Sequence, residues 1–319
     1  MVKALQHANA AGSWSALRVL SLVAVVVAYL LLVLGDTVRV TDSGMGCASW
    51  PLCNGHVGLY GSYHAMLEQS HRYLAAILSV LVLATLGLVL RLGEPKGRLF
   101  VAAISSTGLL GLQVLLGAIT VFAHNAGWTV ALHLAGAWLL VASIVVVAMT
   151  AWDPAHGTQN PAPTWVDIAA RGSAAILFGV AVTGMVVLHD GASRACPTWP
   201  ACTDQAPLAQ VAMQYAHRLF VGLAAIATLS TAVLFWRRPG ARMFDRALAV
   251  LSTLLLISTA IAGALVATTG AGPLPEAVHL ALASGLWMAV VVMASRHAPW
   301  VSSEVAKIRP GEPVVARKN

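Results

Sequence analysis

Four histidines form two pairs that recur at one fixed spacing along the chain. His71 and His133 are the first pair, and His217 and His279 follow them by 146 residues in each case. The neighbouring residues recur too, since an arginine follows the first member of each pair and a leucine follows the second. A repeat of this length indicates a duplicated unit in which each copy carries two imidazoles, the commonest metal ligands in proteins.

The composition places these histidines in a membrane. Of the 319 residues, 58% are hydrophobic and only 10% are charged, whereas soluble domains carry about a quarter charged residues. Eight apolar runs approach or exceed the roughly 20 residues that a bilayer requires, and in lipid each must be a helix. The runs lie near 15–36, 67–91, 99–123, 128–151, 167–188, 211–236, 245–268 and 275–296. The predicted fold is an all-α integral membrane protein of eight transmembrane helices, arranged as two tandem, pseudo-symmetric four-helix bundles.

The basic residues predict the orientation of the chain. Of 19 Lys and Arg residues, 15 lie in the termini and loops of one side, and the other side has Arg39, Arg72, Arg194 and Arg218. Because positively charged loops stay in the cytoplasm, both termini are predicted to be cytoplasmic, in a bacterial inner membrane. The net charge of +7 is then explained by the basic cytoplasmic loops and their contact with lipid headgroups. A nucleic-acid partner is not expected. The first run spans the membrane by itself and lacks a small-residue cleavage site, so no cleaved signal peptide is expected.

A segment rich in Pro, Gly and polar residues separates the two copies of the repeat. It predicts a cytoplasmic linker at 152–166, between an N-terminal bundle at 1–151 and a C-terminal bundle at 167–298. Residues 299–319 are polar and proline-bearing, and they are expected to form a cytoplasmic tail.

The symmetric histidines favour a function over a purely structural role. A single membrane histidine often hydrogen-bonds a neighbouring helix, but four at similar depth, in a repeated arrangement, mark a site because buried polar groups are costly in lipid. Facing imidazoles on the second and fourth helices, and on the sixth and eighth, suit the two axial positions of a heme iron. Zinc fits poorly, because the second half offers no further ligands at that depth.

The two halves differ at one position beside these pairs. Glu68 lies one helical turn before His71, whereas its counterpart before His217 is Gln214. A carboxylate beside a heme edge could accept protons or stabilise a developing cation, and the alternative is an interfacial glutamate. The asymmetry predicts chemistry at the first site and a resident heme at the second. Arg72 and Arg218 could pair with heme propionates or extend to the lipid headgroups.

Four cysteines lie in two external loops with the same Cys-x-x-Trp-Pro-x-Cys pattern. Cys47 with Cys53, and Cys196 with Cys202, are predicted to form disulfides on the oxidising side of the membrane. Each bridge would fix a Trp-Pro lid over its bundle. His124 and His189 lie at external helix ends without counterparts in the other half, and they are either interfacial or close to a heme edge.

These residues resemble the heme A synthase family over nearly all of residues 15–296. The resemblance rests on Glu68-x-x-His71-Arg72, the loop from Thr41 to Cys53, Gln113-x3-Gly117-x2-Thr120-Val121 leading to His133, His217-Arg218, His279 and the pair Cys196 and Cys202. Asp36 departs from the pattern, because a small residue such as glycine is expected there.

The resemblance implies an activity, ligands and partners. Heme O would be oxidised twice at its C8 methyl, through an alcohol to a gem-diol that loses water, giving heme A. Substrate heme would bind His71 and His133 with Glu68 at the reacting edge, and heme B would bind His217 and His279. Cys47 and Cys53 would be a redox pair or a structural disulfide. Heme O synthase and a membrane electron acceptor or donor are implied partners, and a homo-oligomer is compatible with the sequence.

Two other classes of protein share some of these features. A diheme electron-transfer cytochrome would also use four histidines, but it usually stacks its hemes toward opposite faces, whereas both pairs here lie near the external side. A transporter built from repeats often has broken helices and charged groups at the membrane midplane, and the polar residues here lie near one face.

Overall fold

The computed structural model describes residues 2–92, 97–152, 164–189, 192–202, 206–238, 240–270 and 272–295. Within these ranges the chain forms eight α-helices and two short 3₁₀ turns, Ser43–Met45 and Ala192–Arg194. The helices are α1 (Val2–Val40), α2 (Tyr63–Arg91), α3 (Arg98–Phe122), α4 (Gly127–Trp152), α5 (Thr164–His189), α6 (Leu208–Arg237), α7 (Met243–Thr268) and α8 (Pro273–Ser295). All eight are long and apolar enough to cross a membrane, which confirms the predicted fold.

Several helices are longer than their apolar runs. α1 continues to Val40, because Thr37 and Thr41 hydrogen-bond carbonyls one turn back and Arg39 pairs with Asp36. α2 begins at Tyr63, where the Ser62 side chain caps the first turn by accepting from the Ala65 amide. A hydropathy profile misses such helix ends because their residues are polar. Hydrogen bonds and ion pairs of the side chains keep these turns helical.

The predicted linker at 152–166 ends earlier than expected, because α5 begins at Thr164. Residues 153–163 of that linker and the tail at 299–319 lie outside the described residues.

The helices pack as two closed groups of four that share one interface. α1 to α4 each contact the next helix and α1 contacts α4, and α5 to α8 repeat this arrangement. Between the groups, α8 packs against α1 and α4, and α5 packs against α4. The domain boundaries drawn from the sequence stay a prediction.

The interface between the groups is part of one hydrophobic core. Trp138 of α4 and Trp287 of α8 lie with their ring centroids 5.0 Å apart, and both are buried. Trp287 also donates through its indole nitrogen to the Ala174 carbonyl of α5 at 2.9 Å. Large buried aromatic rings restrict how two helices can rotate against each other, so these contacts help to set the faces that α4 and α8 turn toward their own bundles.

Candidate functional site

Each of the four histidines lies within about three turns of the start of its helix and packs against a glycine of the preceding helix. His71 on α2 faces Gly35 on α1, and His133 on α4 faces Gly117 on α3. A Cβ atom added at Gly35 would lie 2.9 Å from the His71 ring, and one at Gly117 would lie 3.4 Å from the His133 ring. The first distance leaves no room for a side chain, so glycine sets how closely the helix approaches the imidazole.

The second half repeats this contact at both of its histidines. A Cβ at Gly184 would lie 3.2 Å from the His217 ring, and one at Gly263 would lie 2.9 Å from the His279 ring. The glycine positions follow those of the first half by 149 and 146 residues, the same offsets as the cysteine and histidine repeats. Sequence reasoning missed these glycines, although the repeat spacing could have found them.

A large cavity opens between the helices of the first half. Its volume is about 960 Å³, and its lining includes His71, His133 and Glu68. Met185 and Leu188 of α5 complete one wall, so the second half contributes to it. The structure thus brings together three residues that the sequence predicted for one site. The volume is near the upper end of the roughly 300–1,000 Å³ of small-molecule sites, and most of the lining is apolar, as a large planar ligand requires.

The imidazoles of the second pair are fixed by hydrogen bonds. Nδ1 of His279 is 3.0 Å from the Thr259 carbonyl oxygen, which can only accept, so Nδ1 carries the proton. Nδ1 of His217 is 3.2 Å from the Thr183 hydroxyl, which can donate its own proton to the Gly179 or the Val180 carbonyl, each at 3.0 Å. That hydroxyl is therefore available to accept from Nδ1. Both residues keep the lone pair of Nε2 free, which is the form that a heme iron needs, so this pair fits a bis-histidine heme.

Glu68 is buried and holds the first cysteine loop. One carboxylate oxygen accepts from the Cys47 backbone amide at 2.7 Å, and the other accepts from Arg72 at 2.5 Å. Arg72 also donates to the carbonyls of Ser49, Pro51 and Cys47 at 2.7, 3.1 and 3.2 Å. The pair thus joins the cavity wall to the loop that covers it. Contact of Arg72 with a propionate stays a prediction, and the structure gives the guanidinium this additional role.

Equivalent residues hold the second cysteine loop, except that an amide takes the place of the carboxylate. Arg218 donates to the carbonyls of Pro200, Thr198 and Cys196 at 2.7, 3.1 and 3.4 Å. Gln214, in the place of Glu68, donates to the Ala192 carbonyl at 2.7 Å. A neutral amide therefore supports the second loop, whereas a carboxylate paired with a guanidinium supports the first.

The predicted cysteine pairs are disulfides in the structure. Cys47 is bonded to Cys53, and Cys196 is bonded to Cys202. Each bridge closes the loop that its neighbouring arginine holds, so the prediction of one disulfide within each loop is confirmed.

Asp36, the departure from the family pattern, takes part in an ion-pair network between the halves. Its carboxylate is buried and lies 2.8 Å from Arg39, and Arg39 is 3.1 Å from Glu276 at the start of α8. Asp36 and Arg39 both line the cavity. Sequence reasoning missed this network because the partners are 237 residues apart.

The other candidate histidines lie apart from these contacts. His124 is exposed at the turn after α3, with a left-handed backbone (φ 53°). His189 is the last residue of α5, and its side chain is outside the described part of the structure. In the described ranges no group of three or more His, Cys, Asp or Glu side chains could hold a metal ion.

The chain matches one protein family over most of its length. The model of the family COX15-CtaA, described as cytochrome oxidase assembly protein, matches residues 18–64 and 60–291. These ranges include all four histidines, Glu68 and both cysteine loops.

Several bacterial proteins are similar to this chain. Heme A synthase of Symbiobacterium thermophilum is 32% identical over 285 residues, which are 85% of this chain and 92% of that protein. Heme A synthase of Geobacillus kaustophilus is 31% identical over 252 residues, 75% of this chain and 78% of that protein. Heme A synthase of Exiguobacterium sibiricum is 27% identical over 203 residues, covering 63% and 68%. With the family model, the eight helices and the paired histidines in agreement, this chain belongs to the heme A synthase family.

Proposed function

We propose that this enzyme oxidises heme O to heme A at the cavity of the first half. The observation that carries the proposal is the cavity of about 960 Å³ whose lining includes two histidines, His71 and His133, together with the carboxylate of Glu68. The imidazoles supply axial ligands for the substrate iron, and the apolar walls take up the macrocycle and its hydrophobic tail.

The reaction converts a methyl group into a formyl group in two oxidations. The first gives the alcohol and the second gives the gem-diol, which loses water to leave the aldehyde. We take water as the source of oxygen: one water enters in each oxidation, and the gem-diol releases one of them. The net change of methyl and one water to formyl then releases four electrons and four protons, so the proposal requires a membrane electron acceptor that takes the electrons in two steps.

The second pair, His217 and His279, holds heme B in the proposal. The support is the protonated Nδ1 of both residues, which leaves Nε2 free for iron, and the glycine against each ring. When bound, heme B supplies one-electron transfer between the substrate site and the acceptor. Thr183 and the Thr259 carbonyl orient the two rings, and Gly184 and Gly263 make room for them.

Glu68 acts on the substrate edge as a buried charged group. Its carboxylate favours positive charge that develops at the methyl carbon, and it can take up a released proton. Arg72 keeps the carboxylate in place and, together with Arg218 in the second half, is proposed to contact propionates. The disulfide Cys47–Cys53 holds the loop that covers the cavity in place.

The cellular setting follows from the same proposal. The chain lies in a bacterial inner membrane with both termini in the cytoplasm and the cysteine loops outside. A heme O synthase supplies the substrate, and a homo-oligomer is compatible with the sequence.

The test is heme extraction from cells that make heme O and lack their own heme A activity. Cells with the intact protein should produce heme A. Glu68→Gln keeps the shape of the side chain but removes its charge, so heme A should fall by about 100-fold or more, as expected for a catalytic acid–base group. The heme bound to the purified variant should be unchanged, because the second pair is untouched.

The matched control is Ser70→Ala, two residues away on the same helix. The Ser70 hydroxyl donates to the Met66 carbonyl of its own helix and is not part of the cavity lining. Full heme A production by Glu68→Gln would remove the carboxylate from the mechanism. Bound heme with no heme A from the intact protein would favour a diheme electron-transfer cytochrome instead.

A further inference from the structure

Asp36 is a buried carboxylate in the wall of the cavity that the proposed mechanism does not use. It is 3% exposed, and it directly follows Gly35, the glycine that packs against the His71 ring. Its Oδ1 accepts from Nε of Arg39 at 2.8 Å, but its Oδ2 is buried and has no hydrogen-bond donor among the residues that the structure describes. A buried carboxylate oxygen without a donor is unfavourable, so a ligand that brings a donor to this wall is favoured.

The charges around Asp36 decide which kind of ligand group suits it. Arg39 is shared between Asp36 and Glu276, whose carboxylate oxygen lies 3.1 Å from Nη2 of Arg39. Two carboxylates and one guanidinium leave a net negative charge, which repels an ionised propionate. A neutral hydroxyl, in contrast, can donate its proton to Oδ2. Because the terminal torsion of an aspartate is soft, this oxygen can turn toward a donor in the cavity.

Heme O carries one group of this kind. Its propionates are ionised near neutral pH and only accept hydrogen bonds, and its methyl and vinyl groups offer no donor. The isoprenoid side chain joins the macrocycle through a carbon that bears a hydroxyl, which is the only hydrogen-bond donor on the rim. Heme B has a vinyl group at that position, so heme B in the same cavity would leave the Asp36 oxygen without a partner.

The second half lacks this carboxylate and its arginine at the equivalent positions. The residues that follow by 149 positions, the offset of the glycines that face the first histidine of each pair, are Met185 for Asp36 and Leu188 for Arg39. The second copy of the unit thus has an apolar pair where the first has a charged pair. Heme B, which the second copy is proposed to hold, has no hydroxyl that needs an acceptor. The difference between the copies therefore matches the difference between the two tetrapyrroles.

We propose that Asp36 is a specificity-determining residue that accepts a hydrogen bond from the hydroxyl of the isoprenoid side chain and thereby selects heme O over heme B at the first site. The inference rests on the proposed function, since it assumes that heme O binds between His71 and His133. Selection is needed there because heme B would bind the same two imidazoles. A site that hydrogen-bonds a substrate hydroxyl discriminates strongly against an analogue without it, because the buried acceptor then has no donor.

The experiment compares two iron porphyrins that differ only in their hydroxyls. Iron hematoporphyrin has hydroxyethyl groups, with the hydroxyl on the same carbon as in heme O, and iron mesoporphyrin has ethyl groups at those positions. Each is titrated into the purified, heme-containing protein, and the absorbance phase that disappears in His71→Ala reports the first site. The measured quantity is the dissociation constant of iron mesoporphyrin divided by that of iron hematoporphyrin.

Asp36→Ala removes the acceptor and leaves Arg39 with Glu276 as a neutral pair. The ratio of dissociation constants should then fall about tenfold relative to the intact protein, as expected for the loss of one hydrogen bond to a charged group. The cost of taking the hydroxyls out of water is the same in both proteins, so it cancels in this comparison. If Asp36→Ala does not fold, Asp36→Gly takes its place, because a small residue such as glycine is the family pattern at this position.

Glu276→Gln is the matched control. It removes a carboxylate from the same network but keeps the Asp36 oxygen, and Glu276 is not part of the cavity lining, so the ratio should stay the same. An unchanged ratio in the Asp36 variant, or an equal fall in Glu276→Gln, would overturn the role of Asp36. The absence of any His71-dependent phase in the intact protein would instead overturn the proposed substrate site.

Discussion

At the scale of single residues, the site depends on how closely a helix backbone approaches each imidazole. The four glycines that face the histidines allow an approach that any side chain would block at Gly35 and Gly263. Because each ring packs against backbone on one side, its freedom to rotate is restricted. The orientation of each proposed iron ligand therefore depends on a glycine that would not itself contact the iron.

Gly263→Ala tests this orientation in the second half. The added methyl would lie 2.9 Å from His279, so the ring must shift and the bond from Nδ1 to the Thr259 carbonyl should weaken. We expect the heme bound per protein to fall by at least half, as overpacking costs about 1–3 kcal/mol. Pyridine-hemochrome absorbance of purified protein measures it.

Gly222→Ala is the matched control for that change. It lies in α6, where an added Cβ would meet no atom within 4 Å, so heme content should stay the same. If Gly263→Ala retains all of its heme, the close approach of α7 does not orient the ligand.

At the scale of helices, the last turn of α1 connects the cavity of the first half to the second half. Asp36 and Arg39 are on one face of this turn, and Arg39 reaches Glu276, one turn before His279 on α8. Asp36 is buried, and one of its oxygens has no partner among the described residues. Arg39 therefore supplies a positive charge that compensates two carboxylates at the interface.

Arg39→Leu should destabilise the protein more than the loss of a surface ion pair does. It leaves the Asp36 carboxylate buried without a cation, and breaking a fully buried pair costs roughly 3–5 kcal/mol. Arg39 is about a quarter exposed, with a side-chain accessibility of 27%, so we expect about 2 kcal/mol and a lower midpoint of thermal unfolding in detergent. Circular dichroism at the helical minimum measures that midpoint.

A double variant separates the charge effect from lost packing. Adding Asp36→Asn to Arg39→Leu removes the unpaired charge and should restore much of the midpoint. Arg237→Leu, an exposed arginine at the end of α6, should have little effect. Equal midpoints for Arg39→Leu and Arg237→Leu would show that the network does not stabilise the interface.

At the scale of the whole molecule, all four histidines and both disulfide loops lie at the same end of the helix array. α2, α4, α6 and α8 all carry their histidine near their first residue, and each cysteine loop immediately precedes α2 or α6. Both sites are therefore at one side of the membrane, and electrons between them would move along the surface plane rather than across the bilayer.

Reporter fusions test which side this is. The 15-to-4 distribution of basic residues predicts that fusions after Pro95 and Gly240 report the cytoplasm. Fusions within 47–53 or 196–202 should report the outside, where a periplasmic enzyme such as alkaline phosphatase becomes active. Activity of that enzyme after Gly240 would reverse the orientation of the chain.

The sequence by itself determined the features that depend on local composition or on the repeat. Eight spans follow from hydropathy, because a bilayer selects long apolar helices regardless of their partners. The two histidine pairs, the contrast of Glu68 with Gln214, and the two disulfides follow from residue type and spacing, since the duplication displays each position twice. The helix ends were less well predicted, as the extension of α1 to Val40 shows.

Tertiary structure alone decided which face each helix turns to its neighbours. The ion pair of Arg39 with Glu276, the bond of Glu68 to the Cys47 amide, and the contact of Gln113 with His133 join residues on different elements. A hydropathy profile does not contain the rotation of one helix about its axis relative to another, because in lipid nearly every face is apolar. That rotation is fixed by packing, through the glycines and the contact of Trp138 with Trp287, and it determines which way each imidazole faces.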